Sequence, residues 1–291
     1  MSAPMAPAST GDVLIRVADG ICWITINRPQ VANALGRAQY RAIRGALVAA
    51  DDDPAVQVVV LNAEGRHFCA GGDLADLQNV FSQPRAYIDE AFAFYRQFVT
   101  MRKLVVASVH GGVFTVGAIA VAGCDMVVAS DNSYMSLPEI EIGLWEPYTV
   151  SLLSASIGVK RTKRMLLTGE RVPAATLQEW GLYDHVVPDS ELRSRTEELA
   201  HRLVATSPQA RLAYKAMCNS LLPEWDIRIP INCLDSADSA AGVAAFNAKP
   251  IRVSSTSEDL EHNVFDSRLN SWHRKSKRRP TAGPSAIKSW A

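Results

Sequence analysis

Apolar positions change period several times along the chain, and each change marks an element. Residues 13–17 (VLIRV) and 21–26 (ICWITI) are β-rich runs split by Asp19-Gly20, a dipeptide that favours a tight hairpin turn. Tyr40, Ile43 and Leu47 recur at helical spacing within 38–50, and the pattern closes at DDDP, where Pro54 cannot continue a helix. VQVVVL follows, apolar on both faces like a strand covered from both sides. The loop GRHFCAGGDL (65–74) leads into ADLQNVF and a long helix near 85–103. LVVASV (104–109) reads as another buried strand, HGG as a turn, FTVGAIAVAGC as an apolar helix, DMVVAS as a strand and SYMSLPEIEIG as a further short strand. Helical patterns then dominate to about 248: TVSLLSASIG, RTKRMLLTG, AATLQEWG, DSELRSRTEELAHRLVA, PQARLAYKAMCNSL and DSADSAAGVAAF. This order predicts an α/β protein of repeated ββα turns with a helical region behind it.

Composition narrows the class. About half of the 291 residues are apolar, enough for a sizeable core. The formal charge is zero, yet Arg274, Lys275, Lys277, Arg278, Arg279 and Lys288 follow Ser271 without any acid, so the rest is acidic by about six charges. That balance argues against a nucleic-acid partner. Cys22, Cys69, Cys124, Cys218 and Cys233 show no metal-binding spacing and read as reduced thiols of a cytoplasmic protein. The opening MSAPMAPASTGD lacks the features of a signal peptide, and no long charge-free apolar stretch suggests a membrane span. The expected organisation is a disordered start (1–11), a ββα core (12–190), a helical region (191–253) and a disordered basic tail (254–291).

Two places put small residues between a buried strand and a helix: FCAGGDL and HGGVFTVG (110–117). Each alone could be a tight connection. Together they could aim two backbone N–H groups at one carbonyl oxygen, an oxyanion hole suited to negative charge on a thioester oxygen.

INRPQVANAL (26–35), FCAGGDL (68–74), VHGGVFTVGAIAVAGCDMVVAS (109–130), SLPEIEIGL (136–144), LTGERVPAATLQEWGLYDHVVP (167–188) and AAFNAKP (244–250) resemble, in order and spacing, the motifs of the crotonase (enoyl-CoA hydratase/isomerase) superfamily. The resemblance covers roughly residues 12–250. It implies the crotonase fold, a ββα spiral core with a C-terminal helical region, and an acyl-CoA thioester substrate with no cofactor beyond that coenzyme A. It also implies that the N–H of Gly72 is one oxyanion donor and that of Val116 the other, at a position where the family usually has glycine. Ala32, Ala34, Ala70, Asp73 and Leu74 would lie along the coenzyme A path. Phe246 and Lys249 match an FxxK that in many relatives contacts coenzyme A on a neighbouring subunit. Such relatives form trimers or pairs of trimers, and Leu199, Leu203, Leu212 and Met217 look like more apolar surface than a small sheet can cover.

Hydratases of the family use two glutamates twenty residues apart. Glu139 matches the second, but the first position holds Ile119, so simple hydration loses a carboxylate while proton transfer between carbons keeps one. Glu139 facing Ile119 would be desolvated, with its pKa raised toward a useful value. Glu146 is a candidate second carboxylate, because two branches of the family place an Asp in or beside this turn; a solvated loop glutamate is the other reading. Glu141 is expected to face solvent. His67 and His110 flank the glycine turns as weaker acid or base candidates, and Trp145 and Tyr148 would line the acyl pocket together with Ile119. The sequence thus points to an enolate-forming enzyme with isomerase or lyase chemistry. A decarboxylase or hydratase acting on a carrier-bound acyl chain, and a weakened acyl-CoA-binding paralogue, are the alternatives.

Overall fold

The computed structural model describes residues 11–73, 76, 84–222 and 237–247. β1 (Val13–Ala18) and β2 (Ile21–Ile26) pair antiparallel across Asp19 (φ 52°) and Gly20 (φ 78°), both left-handed as the tightest hairpin turn requires. From β2 the first sheet continues in parallel through β3 (Val58–Ala63), β4 (Leu104–Val109), β6 (Met126–Ser130) and β9 (His185–Val187). A second sheet holds β5 (Gly112–Phe114), β7 (Tyr134–Ser136) and β8 (Val172–Pro173). Single bridges from Cys69 to Val113 and from Leu35 to Gly72 carry the same kind of pairing back into the earlier turns. β2, β3, β4 and β6 are therefore each followed by a short piece of the second layer, at Leu35, Cys69, β5 and β7, and the chain rises as a spiral of ββα units.

The helices follow from their apolar faces. α1 (Arg37–Asp52) buries Tyr40, Ile43, Ala46, Leu47 and Ala50, a stripe at three- and four-residue intervals. α2 (Pro84–Thr100) packs against α1. α3 (Val116–Gly123) is apolar all round, and every residue from Val116 to Val121 is buried. α4 (Pro147–Thr168), α5 (Ala174–Trp180), α6 (Leu192–Val204), α7 (Pro208–Asn219) and α8 (Ala237–Asn247) complete the described helices. Both faces of the first sheet are covered, which is why VQVVVL is continuously apolar. Val59 and Leu61 join the larger core, while Val58 and Val60 point the other way, onto Leu192, Leu199 and Ala200.

The sequence pattern needs several corrections. SYMSLPEIEIG is a strand only to Ser136; Pro138, with its fixed φ and no N–H to give a ladder, opens a 3₁₀ turn (Pro138–Ile142) closed by left-handed Gly143. Phe114 ends β5 rather than starting a helix. TVSLLSASIG and RTKRMLLTG, in contrast, are the two helical halves of α4 as the pattern has them, parted at the non-helical Gly158 (φ 78°, ψ 156°). β8 and β9 fall where only helices were expected, at two and three residues too short to show alternation. Leu199 is covered by the sheet; the apolar side chains left open on and just after α7 are Tyr214, Met217 and Leu221. Cys218 is exposed, unlike the buried Cys22 and Cys69. Readings made on the first ten residues and on 248–291 lie outside the described residues, and among the described helices none is long and apolar enough to cross a membrane.

Candidate active site

Backbone pairing brings the two small-residue turns together. Phe68 N–H donates to the His110 carbonyl (3.1 Å), Cys69 N–H to Gly112 O (3.2 Å) and Phe114 N–H to Cys69 O (2.9 Å). The close approach demands glycine: a Cβ on Gly71 (φ 102°) would stand 2.4 Å from Thr115 Oγ1, and one on Gly117 would stand 2.5 Å from Cys69 Cβ. Thr115, the residue before α3, holds φ 46° and ψ −110°, a strained conformation for a side chain branched at Cβ. Among the described residues, no acceptor meets the N–H of Gly72 or of Val116. Val116 is the first residue of α3, where the N–H has no partner within the helix and the helix dipole is positive.

The coenzyme-path candidates sit against this turn. Ala32 (φ 50°) and Asn33 (φ 58°) are both left-handed, and the Ala70 N–H donates to Ala32 O (2.9 Å). Ala34 presents its carbonyl to the Arg28 guanidinium, which also pairs with Asp73 (2.9 Å). The organiser of the segment is Asn33, which sequence reading passed over between two alanines. Fully buried, it accepts from Arg28 N–H (2.8 Å) and donates to Glu64 O (2.6 Å) and His67 O (2.7 Å), tying the two loops together.

β7 delivers Glu139 to the same place. Ser136 lies opposite Phe114 in the pairing of β7 with β5, so the 3₁₀ turn leaves the sheet beside the start of α3. Glu139 is partly exposed as a residue, but its Oε2 is enclosed and accepts no hydrogen bond among the described residues. Burial pushes its pKa up to about 8, offset in part by its own N–H and reinforced by the charge of Glu146. Glu146 has a different surround. It caps α4, taking Tyr148 N–H on Oε1 (2.8 Å) and both Thr149 N–H (2.9 Å) and the Thr149 hydroxyl (2.8 Å) on Oε2. Burial raises it to about 7 against those three donors. Ile119 is buried on α3.

Tyr148 is buried, with Phe92 edge-on to it (4.7 Å) and Tyr95 tilted against it (5.1 Å). Trp145 is 47% exposed. Glu141, expected in solvent, is partly buried beside Gly169. His67 Nδ1 accepts the Gly112 N–H (3.0 Å), and burial, aided by Arg66 and His110, pushes its pKa down to about 4, so at neutral pH it is an acceptor that joins the turns. His110 Nε2 bonds Gly65 O (2.8 Å). Leu74, Lys249 and the side chain of Phe246 lie outside the described residues. No group of three or more metal-ligating side chains gathers among the described residues. Sequence reading also missed Tyr40, Tyr87 and Tyr95, whose rings cluster beside the site and whose helical spacing marks them only as core.

Residues 16–225 match the family described as enoyl-CoA hydratase/isomerase. Enoyl-CoA hydratase domain-containing protein 3, mitochondrial, of Xenopus laevis is 29% identical over 241 residues, 79% of this chain and 81% of that protein. A probable enoyl-CoA hydratase of Rhizobium meliloti is 29% identical over 81% of this chain and 95% of its own length. The crystal structure of an enoyl-CoA hydratase from Mycobacterium avium subsp. paratuberculosis K-10 superposes with a TM-score of 0.71 at 29% identity, covering 82% of this chain and all of that one.

Proposed function

The chain belongs to the enoyl-CoA hydratase/isomerase family, and we propose that it forms the enolate of an acyl-CoA thioester, with Glu139 as the single acid/base and the N–H groups of Gly72 and Val116 holding the oxygen. The observation that carries this is the enclosed Oε2 of Glu139, a carboxylate oxygen without a hydrogen bond among the described residues, beside a helix start whose first N–H, that of Val116, meets no acceptor among them. A buried carboxylate costs stability, and a pKa near 8 suits it to exchange a proton with carbon near neutral pH. The two N–H donors would stabilise charge only as it develops on the thioester oxygen.

Ile119 is an apolar residue at the position where, by the family resemblance, a second carboxylate would hold water, so the proposed chemistry is proton transfer within one acyl chain, as an isomerase performs it, rather than addition of water. The capping role of Glu146 favours the same reading, because its oxygens already hold three donors. Ala32, Ala34, Ala70 and Asp73 would flank the coenzyme, and Trp145 and Tyr148 the acyl chain. The proton transfer itself asks for no cofactor beyond the coenzyme A of the substrate. Exposed Tyr214, Met217 and Leu221 support self-association, as a trimer or a pair of trimers; sedimentation at micromolar concentration reads this directly.

The testing experiment follows α-proton exchange into deuterated water for several acyl-CoAs, alongside crotonyl-CoA hydration and acyl-CoA affinity. Exchange with slow hydration is expected. Fast hydration would remove the single-base account, and binding without exchange would leave a protein that only holds acyl-CoA.

A further inference from the structure

Tyr40, on the buried face of α1, is enclosed completely and stacks on Phe94 with ring centroids 5.1 Å apart. Its hydroxyl lies 3.3 Å from the hydroxyl of Tyr87 and is also hydrogen-bonded to Tyr95, so the one proton of Tyr40 has two phenol oxygens that can take it. Tyr87 is only partly buried, and its oxygen lies 3.8 Å from the point that a Cβ on Gly72 would occupy. The side of Gly72 left bare by the missing side chain is thus faced by a phenol hydroxyl. Burial raises the pKa of both phenols, so both remain protonated donors at neutral pH.

We infer that the Tyr87 hydroxyl is a third hydrogen-bond donor to the thioester oxygen, beside the N–H groups of Gly72 and Val116. The inference rests on the enolate reading above and adds a side chain to it. A phenol can contribute here what a third backbone N–H would, and unlike a backbone donor it can be removed by deleting one atom.

The probe is a 3-arylacryloyl-CoA, whose absorption band moves to longer wavelength as its carbonyl is polarised. The full chain and its Tyr87→Phe and Tyr40→Phe variants are compared for this shift on binding, for probe affinity and for α-proton exchange. Tyr87→Phe is expected to shrink the shift and slow exchange at least ~10-fold while affinity changes little; Tyr40→Phe, which removes a hydroxyl more than 4 Å from that point on Gly72, should change both less. A wild-type shift that survives Tyr87→Phe at full size, with exchange intact, overturns the role of Tyr87 and leaves the backbone donors standing. Absence of any shift in wild type with the probe bound would sink the oxyanion reading itself. A larger loss in Tyr40→Phe than in Tyr87→Phe would overturn the assignment of the donor to Tyr87.

Discussion

Glu139 and Glu146 stand seven residues apart, at the two ends of one short connection, and both carboxyls are drawn above their ordinary pKa by burial. Their local structures separate them. The 3₁₀ turn around Glu139 offers little more than the residue's own N–H, so one oxygen is left enclosed and unbonded. The start of α4 surrounds Glu146 with donors, as the first turn of any helix must, and its carboxylate meets three of them. Burial thus raises both carboxyls, while the hydrogen bonds already made distinguish them: Glu146 is a helix cap, and Glu139 keeps an enclosed oxygen without one among the described residues.

Exchanging each carboxylate for its amide is the widest test of this contrast. Glu139→Gln keeps the shape and removes the base, and α-proton exchange should fall at least ~100-fold with acyl-CoA affinity nearly unchanged. Glu146→Gln keeps a carbonyl for part of the cap and should cost less than ~10-fold. Comparable losses in the two variants would break the comparison and make Glu146 a second acid/base.

A second test reaches the supports instead of the carboxylates. α8 rests on the 3₁₀ turn through Gly242, where a Cβ would fall 2.0 Å from the Ile142 carbonyl oxygen, and the Ser239 hydroxyl donates to Gly143 O (2.6 Å). Gly242→Ala must push the turn, and with it Glu139, so a loss of about 1–3 kcal/mol in stability is expected together with slower exchange. Gly158→Ala, in the bend of α4, meets nothing within 4 Å and carries only the backbone penalty of a positive φ with extended ψ, about 1–3 kcal/mol. Thermal unfolding and exchange measured on both variants should show activity following the first and not the second.

The cap itself predicts a smaller, purely thermodynamic effect. Glu146→Ala should lower stability by about 0.5–2 kcal/mol, read from denaturant unfolding, and Glu146→Ser should recover part of it because serine reaches the same first-turn N–H groups. No recovery would mean that the three hydrogen bonds of Glu146 are not what holds the start of α4.

The sequence made one half of this contrast readable and concealed the other. Asp19-Gly20, the stripe of Tyr40, Ile43 and Leu47, and the two-faced VQVVVL mark elements whose cause is local, and they appear where the pattern puts them. Glu139 is singled out in the sequence by its place among six spaced motifs. The capping of Glu146 is not, because glutamate is an uncommon cap and its Pro147 neighbour also suits a loop, although proline at the first helical position is a known start. Asn33 and the pairing of Tyr40 with Tyr87 depend on residues more than thirty positions away. Spacing within an element carries no trace of such partners.

The finest test of the comparison is electrostatic. A carboxyl whose folded pKa exceeds 4.5 keeps its proton in the native state at pH values where the unfolded chain has lost it, so each pH increment above 4.5 removes stability until the folded pKa is passed. Glu139 should drain stability up to about pH 8 and Glu146 up to about pH 7. Relative to wild type, Glu139→Gln should then gain stability progressively between those limits and show no gain below about pH 4.5. Glu146→Gln should gain less, because the amide offers one acceptor oxygen where the carboxylate used two. The charge of Glu146 also raises the pKa of Glu139, so in the Glu146→Gln variant the rise of exchange rate with pH should move to lower pH. An unmoved profile would mean that the two carboxylates, adjacent as they are, titrate without sensing each other, and the difference between them would then be one of hydrogen bonding alone.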